Sequence, residues 1–124
     1  KNECPIIRSD GSPIREFIHI QDVAEACLLL AENIHKSKGE AFNIGSNEPI
    51  KMIDLVELIL ELMGKSKELP PEILIRAENN SQTDAQFLSH KKMLDSFNWQ
   101  AQIKLSEGLR QTIDWYRNHF SKIA

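Results

Sequence analysis

The sequence is poor in the residues and patterns on which many functional classes depend. Its 124 residues contain two cysteines, one tyrosine and five glycines, and the net charge is −3. Because nucleic-acid binders normally present a basic surface, this acidic balance argues against nucleic acid as a partner. No apolar run approaches the ~18 residues that a membrane span needs. The first residues are followed by no apolar core, so we expect no signal peptide.

The cysteines and histidines predict neither a metal site nor a disulfide. Cys4 and Cys27 lack metal-type spacing, and no His-x-x-x-His or Cys-x-x-Cys pattern occurs. Cys27 lies in an apolar helical run, so we expect a buried free thiol. Free thiols suit a reducing compartment, and the sequence therefore predicts a cytoplasmic location.

The patterns that carry cofactor and nucleophile chemistry are also missing. No Gly-x-Gly-x-x-Gly or Gly-x-x-Gly-x-x-Gly fingerprint follows a predicted strand, so no cradle for a dinucleotide pyrophosphate is expected. No Tyr-x-x-x-Lys pair and no Gly-x-Ser-x-Gly elbow occurs. Tyr116, the only tyrosine, shares an apolar helix face with Phe120 and is expected to pack in the core. We assign no catalytic, cofactor-binding or metal-binding residue in this chain.

The periodicity that is present predicts one mixed α/β domain over residues 1–124, with short strands and about four helices. Strands are predicted around Ile6–Arg8, Ile14–Ile20, Ala41–Ile44 and Glu72–Arg76, and the first two flank a turn at Asp10-Gly11. Helices are predicted from Asp22, after Pro49, from Ser89 and from Ser106, and Gly64 is expected to end the second. Asp22, with Glu25 three residues later, predicts a helix N-cap rather than a catalytic acid.

Two arginines and one asparagine are the candidate binding residues. Arg15 lies at the start of a predicted strand, and Arg76 ends another strand at the mouth of a long loop. The planar guanidinium group suits phosphate oxygens, so two of them near one crevice would clamp a diphosphate. Spacing alone favours the alternative, surface ion pairs such as Arg15 with Glu16 or Asp22. Asn43, a polar residue in an apolar strand, points either at a ligand or at loop backbone.

Three ordered segments resemble one enzyme family. Residues 10–24 are similar to the D-G-x-x-x-R-D-[FY]-[IV]-[HY]-[IV]-x-D-[VA]-[AV] segment of extended short-chain dehydrogenases/reductases that act on nucleotide sugars. Residues 39–45 resemble their G-E-x-[FY]-N-[IV]-G segment, and residues 97–116 resemble their L-G-W-x-P to L-x-E-G-L-x-x-T-I-x-W-Y tail. The whole pattern looks most like the CDP-glucose 4,6-dehydratase branch. The chain departs at Glu16, Asn98 and Ala101, where the family usually has Asp, Gly and Pro, and its late loop lacks the usual Arg-Pro-Gly-Asp.

The resemblance implies the C-terminal, substrate-binding part of an NAD-dependent nucleotide-sugar dehydratase or epimerase. In that family, the arginine matching Arg15 binds the diphosphate, and the asparagine matching Asn43 lines the same nucleotide site. A late-loop arginine completes the clamp, and Arg76 is its nearest equivalent. NAD and the Tyr/Lys pair are implied for the full-length enzyme, in an N-terminal domain that this chain lacks. The chain is thus expected to bind a nucleotide-diphosphate sugar without converting it alone.

A stand-alone, non-catalytic module that oligomerises is the alternative. The surface that once faced the missing domain separates the two: if the chain is only a part of the enzyme, an apolar patch should be left exposed there and would drive self-association. We expect this association to involve the strand Ala41–Ile44 or the flank of Ile6–Ile20. The sequence leaves open which nucleotide is bound, and whether dehydration, epimerisation or reduction is the native outcome.

Overall fold

The structure, a computed structural model, describes residues 3–74 and 83–122. These ranges contain five strands and five helices, which confirms the mixed α/β fold. The strands are β1 (Ile6–Ile7), β2 (Ile14–Glu16), β3 (Pro49–Lys51), β4 (Glu72–Ile73) and β5 (Ala85–Gln86). The helices are α1 (Ile20–Glu32), α2 (Ile34–Ser37), α3 (Met52–Met63), α4 (Lys91–Phe97) and α5 (Leu105–Ser121). The helix beyond the expected four is α2, a single turn directly after α1. None of the helices in these ranges has the length and apolarity that a bilayer crossing requires.

The strands pair with partners far away in the sequence. β1 lies parallel to β4, with Ile6 opposite Glu72. β2 lies between β3 and β5, and it runs parallel to β5 with Arg15 opposite Gln86. The two strands on either side of the Asp-Gly turn therefore do not pair with each other.

The turn between β1 and β2 binds the start of α3 instead of closing a hairpin. The carbonyl oxygens of Gly11 and Pro13 accept hydrogen bonds from the backbone N–H groups of Ile53 and Met52, at 3.1 and 3.0 Å. These are first-turn donors that have no partner within their own helix. Gly11 has φ +84°, and a Cβ there would lie 2.9 Å from the Cβ of Ile53. Both the conformation and the close approach require glycine.

The chain forms two compact units, each assembled from separated segments. Unit 1 comprises the described parts of Lys1–Arg15, Ile50–Gln86 and Leu109–Ala124. Unit 2 comprises Glu16–Pro49 and Phe87–Gly108. The core of unit 2 is a buried cluster of Ala26, Met93 and Trp99, against which Phe42 and Phe97 pack with other half-buried side chains. In unit 1 the buried apolar side chains are Ile7, Leu55 and Leu60.

The helix starts differ from the predicted ones. The N-cap of α1 is His19, whose Nδ1 accepts a hydrogen bond from the N–H of Gln21 at 3.3 Å. Asp22 lies inside the first turn of α1, so its prediction as the N-cap is wrong. α5 begins at Leu105, which places Ser106 within the helix. Gly64 ends α3 in the left-handed conformation, with φ 71°, as predicted.

The predicted strand Ala41–Ile44 is not formed among the described residues. Phe42 and Ile44 pack against the core of unit 2. The Nζ of Lys92 donates to the carbonyl oxygen of Ala41 at 3.0 Å and lies 4.5 Å from the centre of the Phe42 ring. Side-chain packing thus holds this segment where the sequence predicted a ladder of backbone hydrogen bonds.

The thiol of Cys27 is exposed, which contradicts its prediction as a buried residue. The face of α1 that turns inward carries Asp22 and Ala26, one helical turn apart. An exposed face of the same helix therefore carries the apolar residues Ile20, Ala24, Cys27, Leu28 and Ala31. We call this set the α1 apolar face.

Tyr116 is half exposed, so the prediction that it packs in the core is wrong. Its ring stacks on the ring of Phe120, with centroids 5.8 Å apart. The half-buried residues of this part of α5 are Leu109 and Ile113, whereas the last turns of the helix are exposed.

Candidate functional site: a pocket with two arginines

A pocket of about 290 Å³ lies within unit 1. It is formed by β1 and the residues that follow it, by the start of β2, and by the first turns of α3. The described residues that line it are Ile6, Ile7, Arg8, Ser9, Pro13, Arg15, Met52 and Val56. This set combines an apolar wall with two guanidinium groups and includes no carboxylate.

The turn that separates the two arginines is held by its own side chains. The Oγ of Ser9 accepts a hydrogen bond from the N–H of Gly11 at 3.2 Å. The Oδ1 of Asp10 accepts from the N–H and the Oγ of Ser12, at 2.9 and 2.6 Å. These hydrogen bonds, first that of the Ser12 hydroxyl, lower the pKa of Asp10 below its ordinary value. The carboxylate therefore stays ionised, and it belongs to the turn rather than to the pocket lining.

Arg15 is half-buried and lines the pocket from β2. One of its nitrogens, Nη1, donates to the carbonyl oxygen of Ile14 at 2.7 Å. Since a guanidinium group carries five N–H donors, this bond orients the group and leaves other donors for a ligand. The ion pairs found among the described residues do not include Arg15 with Glu16 or with Asp22, and both of these carboxylates accept backbone N–H groups.

The other two candidate residues lie elsewhere. Asn43 is exposed in unit 2, between the inward-facing Phe42 and Ile44. Arg76 lies outside the described residues. Of the three candidates, the described lining of the pocket therefore contains only Arg15.

Arg8 is the site residue that the sequence reasoning missed. It follows β1 directly and lines the same pocket as Arg15. The criterion that selected Arg15 and Arg76 was an arginine at the end of a predicted strand. Arg8 meets that criterion as well, because it closes the predicted strand Ile6–Arg8.

Glu16 connects two loops of unit 2. Its Oε1 accepts from the N–H of Asn47 at 2.6 Å, and its Oε2 accepts from the N–H of Leu88 at 3.0 Å. Gly45 packs against this carboxylate, since a Cβ there would lie 2.8 Å from the Oε2 of Glu16. The last glycine of the motif at residues 39–45 therefore has a packing role.

Asp22 is buried, with 1% of its surface exposed, and it is bound on both oxygens. Oδ1 accepts from the N–H of Gln102 at 3.0 Å, and Oδ2 accepts from the N–H of Ile103 at 3.1 Å. Because both carboxylate oxygens accept backbone hydrogen bonds, the role of Asp22 is to stabilise the conformation of the loop that contains Gln102 and Ile103. The prediction that Asp22 is structural remains, but its partner is the loop before α5 instead of α1.

Two further motif positions are explained by backbone geometry. Gly108 lies against His19, where a Cβ would come within 3.1 Å of the imidazole Cδ2. Asn98 ends α4 in the left-handed conformation, with φ 50°. The family usually has glycine at this position, and asparagine is among the few other residues that adopt this conformation readily.

Glu48 stabilises the N-terminus of α5. Its Oε2 accepts from the N–H of Leu105 at 2.8 Å, and its Oε1 pairs with the Nζ of Lys104 at 2.9 Å. The backbone hydrogen bond from Leu105, followed by the contact with Lys104, lowers the pKa of Glu48 below its ordinary value. Among the residues that the structure describes, no group of three or more His, Cys, Asp or Glu side chains is placed to hold a metal ion.

Residues 1–45 match the sequence model of the NAD dependent epimerase/dehydratase family. GDP-L-fucose synthase 1 of Arabidopsis thaliana is 33% identical over 111 residues, which are 90% of this chain and 32% of that protein. The structure of dTDP-glucose 4,6-dehydratase from Bacillus anthracis in complex with NAD has a TM-score of 0.78 and 26% identity, covering 94% of this chain and 35% of that one. UDP-glucose 4-epimerase from Thermotoga maritima, solved with UDP-glucose, has a TM-score of 0.79 and 25% identity. The match covers 96% of this chain and 36% of that epimerase.

In sequence and in fold the chain is similar to part of NAD-dependent nucleotide-sugar epimerases and dehydratases. It spans about one third of the length of the relatives described above. The names of those relatives refer to GDP-, dTDP- and UDP-linked sugars. The resemblance to the CDP-glucose branch stays a prediction.

Proposed function

We propose that this chain is the nucleotide-diphosphate-sugar binding portion of an NAD-dependent sugar 4,6-dehydratase or epimerase. The observation that carries the proposal is the pocket of unit 1, in which Arg15 and an apolar wall face the same space. A half-buried guanidinium group is a strong donor to phosphate oxygens, and apolar side chains suit a ribose or a base. Asn43 and Arg76 are proposed to contribute to the same ligand in the complete enzyme.

The charges around the pocket support an anionic ligand. The chain as a whole is acidic, with a net charge of −3, yet the described lining carries two positive groups and no negative one. Two of the first-turn N–H groups of α3 already bind the carbonyl oxygens of Gly11 and Pro13. Because these two helix N–H groups already have partners, we assign phosphate binding to the guanidinium groups of the lining rather than to the N-terminus of α3.

NAD is not assigned to the described part of this chain. β3 ends at Lys51 and α3 begins at Met52, so no glycine-rich loop separates this strand from its helix. A dinucleotide pyrophosphate normally occupies such a loop at the helix N-terminus. NAD therefore belongs, in our proposal, to another part of the complete enzyme.

Isothermal titration of the 124-residue chain with nucleotide sugars tests the proposal. CDP-glucose is the first ligand to try because of the sequence resemblance, with UDP-glucose, dTDP-glucose and a GDP-sugar beside it. Arg15→Ala should weaken binding by roughly 1.5–3 kcal/mol, the value of a hydrogen bond to a charged group. Arg117→Ala is the matched control, because Arg117 is an exposed arginine of the same unit that pairs with Asp114. Equal affinities for the wild type and Arg15→Ala would contradict the proposal.

The alternative function, a non-catalytic module that associates with itself, is favoured by the α1 apolar face. Within it, 73% of Ile20 and 63% of Leu28 are exposed. Side chains of this kind gain ~25 cal/mol per Å² when they are covered. In this alternative nucleotide binding is lost and only the association remains, so nucleotide-sugar binding in the titration above separates the two functions.

A further inference from the structure

Arg8 and Arg15 line one pocket from opposite ends of a short, well-ordered turn. Arg8 follows β1, and Arg15 lies in β2. The strands are fixed on separate partners, β4 for the first and β3 with β5 for the second. The turn between them is fixed by the hydrogen bonds of Ser9 and Asp10 and by its contacts with α3. The backbone that carries both guanidinium groups is therefore held before any ligand arrives.

We propose that Arg8 is the second arginine of a diphosphate clamp that is complete within unit 1. The inference rests on the proposed function, and it adds a residue that the motif segments do not include. In this arrangement Arg15 binds one phosphate from β2 and Arg8 binds the neighbouring phosphate from the end of β1. Arg8, directly after β1, then supplies the second positive charge of the clamp, beside the contribution that we propose for Arg76 in the complete enzyme.

The size of the pocket indicates which part of the ligand it takes. A volume of about 290 Å³ lies at the lower end of the range for small-molecule sites. A diphosphate with its adjacent ribose suits such a volume, whereas a whole nucleotide sugar extends beyond it. Met52 and Val56 contribute apolar surface to the lining, and Arg8 and Arg15 contribute its two positive groups. In our proposal the apolar surface takes the ribose and the arginines take the phosphates. The diphosphate is accordingly the part of the ligand that this pocket recognises.

Binding of inorganic pyrophosphate, CDP, GDP and cytidine to the 124-residue chain tests this clamp. The variants are Arg8→Gln, Arg15→Gln and Arg8→Lys, and the matched control is Arg117→Gln on α5. We expect the wild type to bind pyrophosphate and at least one of the two diphosphates, and to bind cytidine at least ten times more weakly. Arg8→Gln and Arg15→Gln should each weaken the pyrophosphate and diphosphate complexes ~10- to 100-fold. Arg8→Lys should fall between the wild type and Arg8→Gln, because lysine keeps the charge but not the two-pronged geometry.

The outcomes separate this inference from the function on which it rests. If Arg15→Gln weakens binding and Arg8→Gln stays within twofold of the wild type, the role of Arg8 is wrong and the proposed function stands. If the wild type binds none of the phosphate ligands, or if neither variant matters, both proposals fail. Thermal unfolding of each variant shows whether it is folded. If Arg8→Gln is unfolded, the affinities of Arg8→Lys for the same ligands provide the test of Arg8.

Discussion

At the scale of single residues, Asp22 shows how a motif carboxylate can be structural. It is buried at the start of α1, and its two oxygens each accept one backbone N–H from the segment before α5. Removing the side chain would leave the N–H groups of Gln102 and Ile103 without these partners. Each orphaned donor in a buried setting costs about 1–3 kcal/mol.

We therefore expect Asp22→Ala to lower the free energy of unfolding by about 2–4 kcal/mol, more than the ~1 kcal/mol of an ordinary helix cap. Urea denaturation followed by circular dichroism measures the difference. Asp10→Ala is the control, because Asp10 also accepts a backbone N–H but is exposed. A loss for Asp22→Ala no larger than that for Asp10→Ala would contradict the assigned role.

The glycines at positive φ provide a second comparison between residues. Gly11 and Gly39 have φ +84° and +79°, but only Gly11 has a neighbour in the way of a Cβ. Gly39→Ala should cost about 1 kcal/mol from backbone strain alone. Gly11→Ala carries the same strain and must also displace Ile53 from the start of α3, so we expect a loss of about 2–4 kcal/mol. Equal urea midpoints for the two variants would show that the Ile53 contact relaxes freely.

At the scale of elements, α5 depends on a charged group that lies far from it in the sequence. The carboxylate of Glu48 binds the N–H of Leu105, the first residue of the helix, where negative charge is favoured by the helix dipole. Glu48 is also paired with Lys104, which immediately precedes the helix. The start of α5 is therefore sensitive to the ionisation of Glu48.

The pH dependence of stability follows from the lowered pKa of Glu48. Its contribution is complete above the ordinary carboxyl pKa of 4.5 and is lost as the pH falls through the lower value of the folded state. The urea midpoint of the wild type should fall between about pH 5 and about pH 3, and Glu48→Gln should fall less steeply. Glu32→Gln, on the exposed side of α1, is the control and should follow the wild type.

The existence of most elements was predictable from the sequence, but their ends and partners were not. The 3.6-residue period located α1, α3, α4 and α5, and Gly64 located the end of α3. The N-cap of α1 was missed because aspartate is a better local cap than histidine. In the structure, the carboxylate of Asp22 instead accepts hydrogen bonds from the distant loop before α5. The pairing of β1 with β4 was missed because the Asp-Gly turn favours a local hairpin. Tertiary contacts outweighed local preference in both cases.

The candidate site was predictable to a similar degree. Arg15 was found from its strand position and from the motif, and it lines the pocket. Arg8 lies outside the motif segments, so only its position at a strand end pointed to it. The shared crevice expected for Arg15 and Asn43 stays a prediction, since the two residues belong to different units.

At the scale of the whole molecule, apolar surface is left uncovered. Large exposed side chains occur in both units, including Ile6 and Trp115 in unit 1 and Ile20 and Leu28 in unit 2. Surfaces of this kind drive association between copies. The strand Ala41–Ile44, one of the two expected contact segments, is not available as a strand. The flank of Ile6–Ile20 and the α1 apolar face are therefore the surfaces through which we expect the chain to associate.

We expect the 14.2 kDa chain to sediment as a species larger than a monomer at micromolar concentration. Leu28→Gln should shift the distribution toward the monomer because it makes the α1 apolar face polar, whereas Glu61→Gln at an exposed position of α3 should not. In a Cys4→Ser background, labelling of Cys27 should slow as the protein concentration rises, since the thiol lies on the same face. A monomer with concentration-independent labelling would favour a self-sufficient domain.

Each of the two units is assembled from segments that lie far apart in the sequence, which limits when the unit can fold during synthesis. β1 and β2 leave the ribosome well before their partners β4 and β5, because Ile6 pairs with Glu72 and Ile14 with Ala85. Unit 2 likewise needs Met93 and Trp99 for its core. Contacts this distant in sequence slow folding through the entropy of closing long loops. Neither unit can be completed during translation until these later segments have emerged, so the segments that carry β1, β2 and α1 stay open to chaperones and proteases until then.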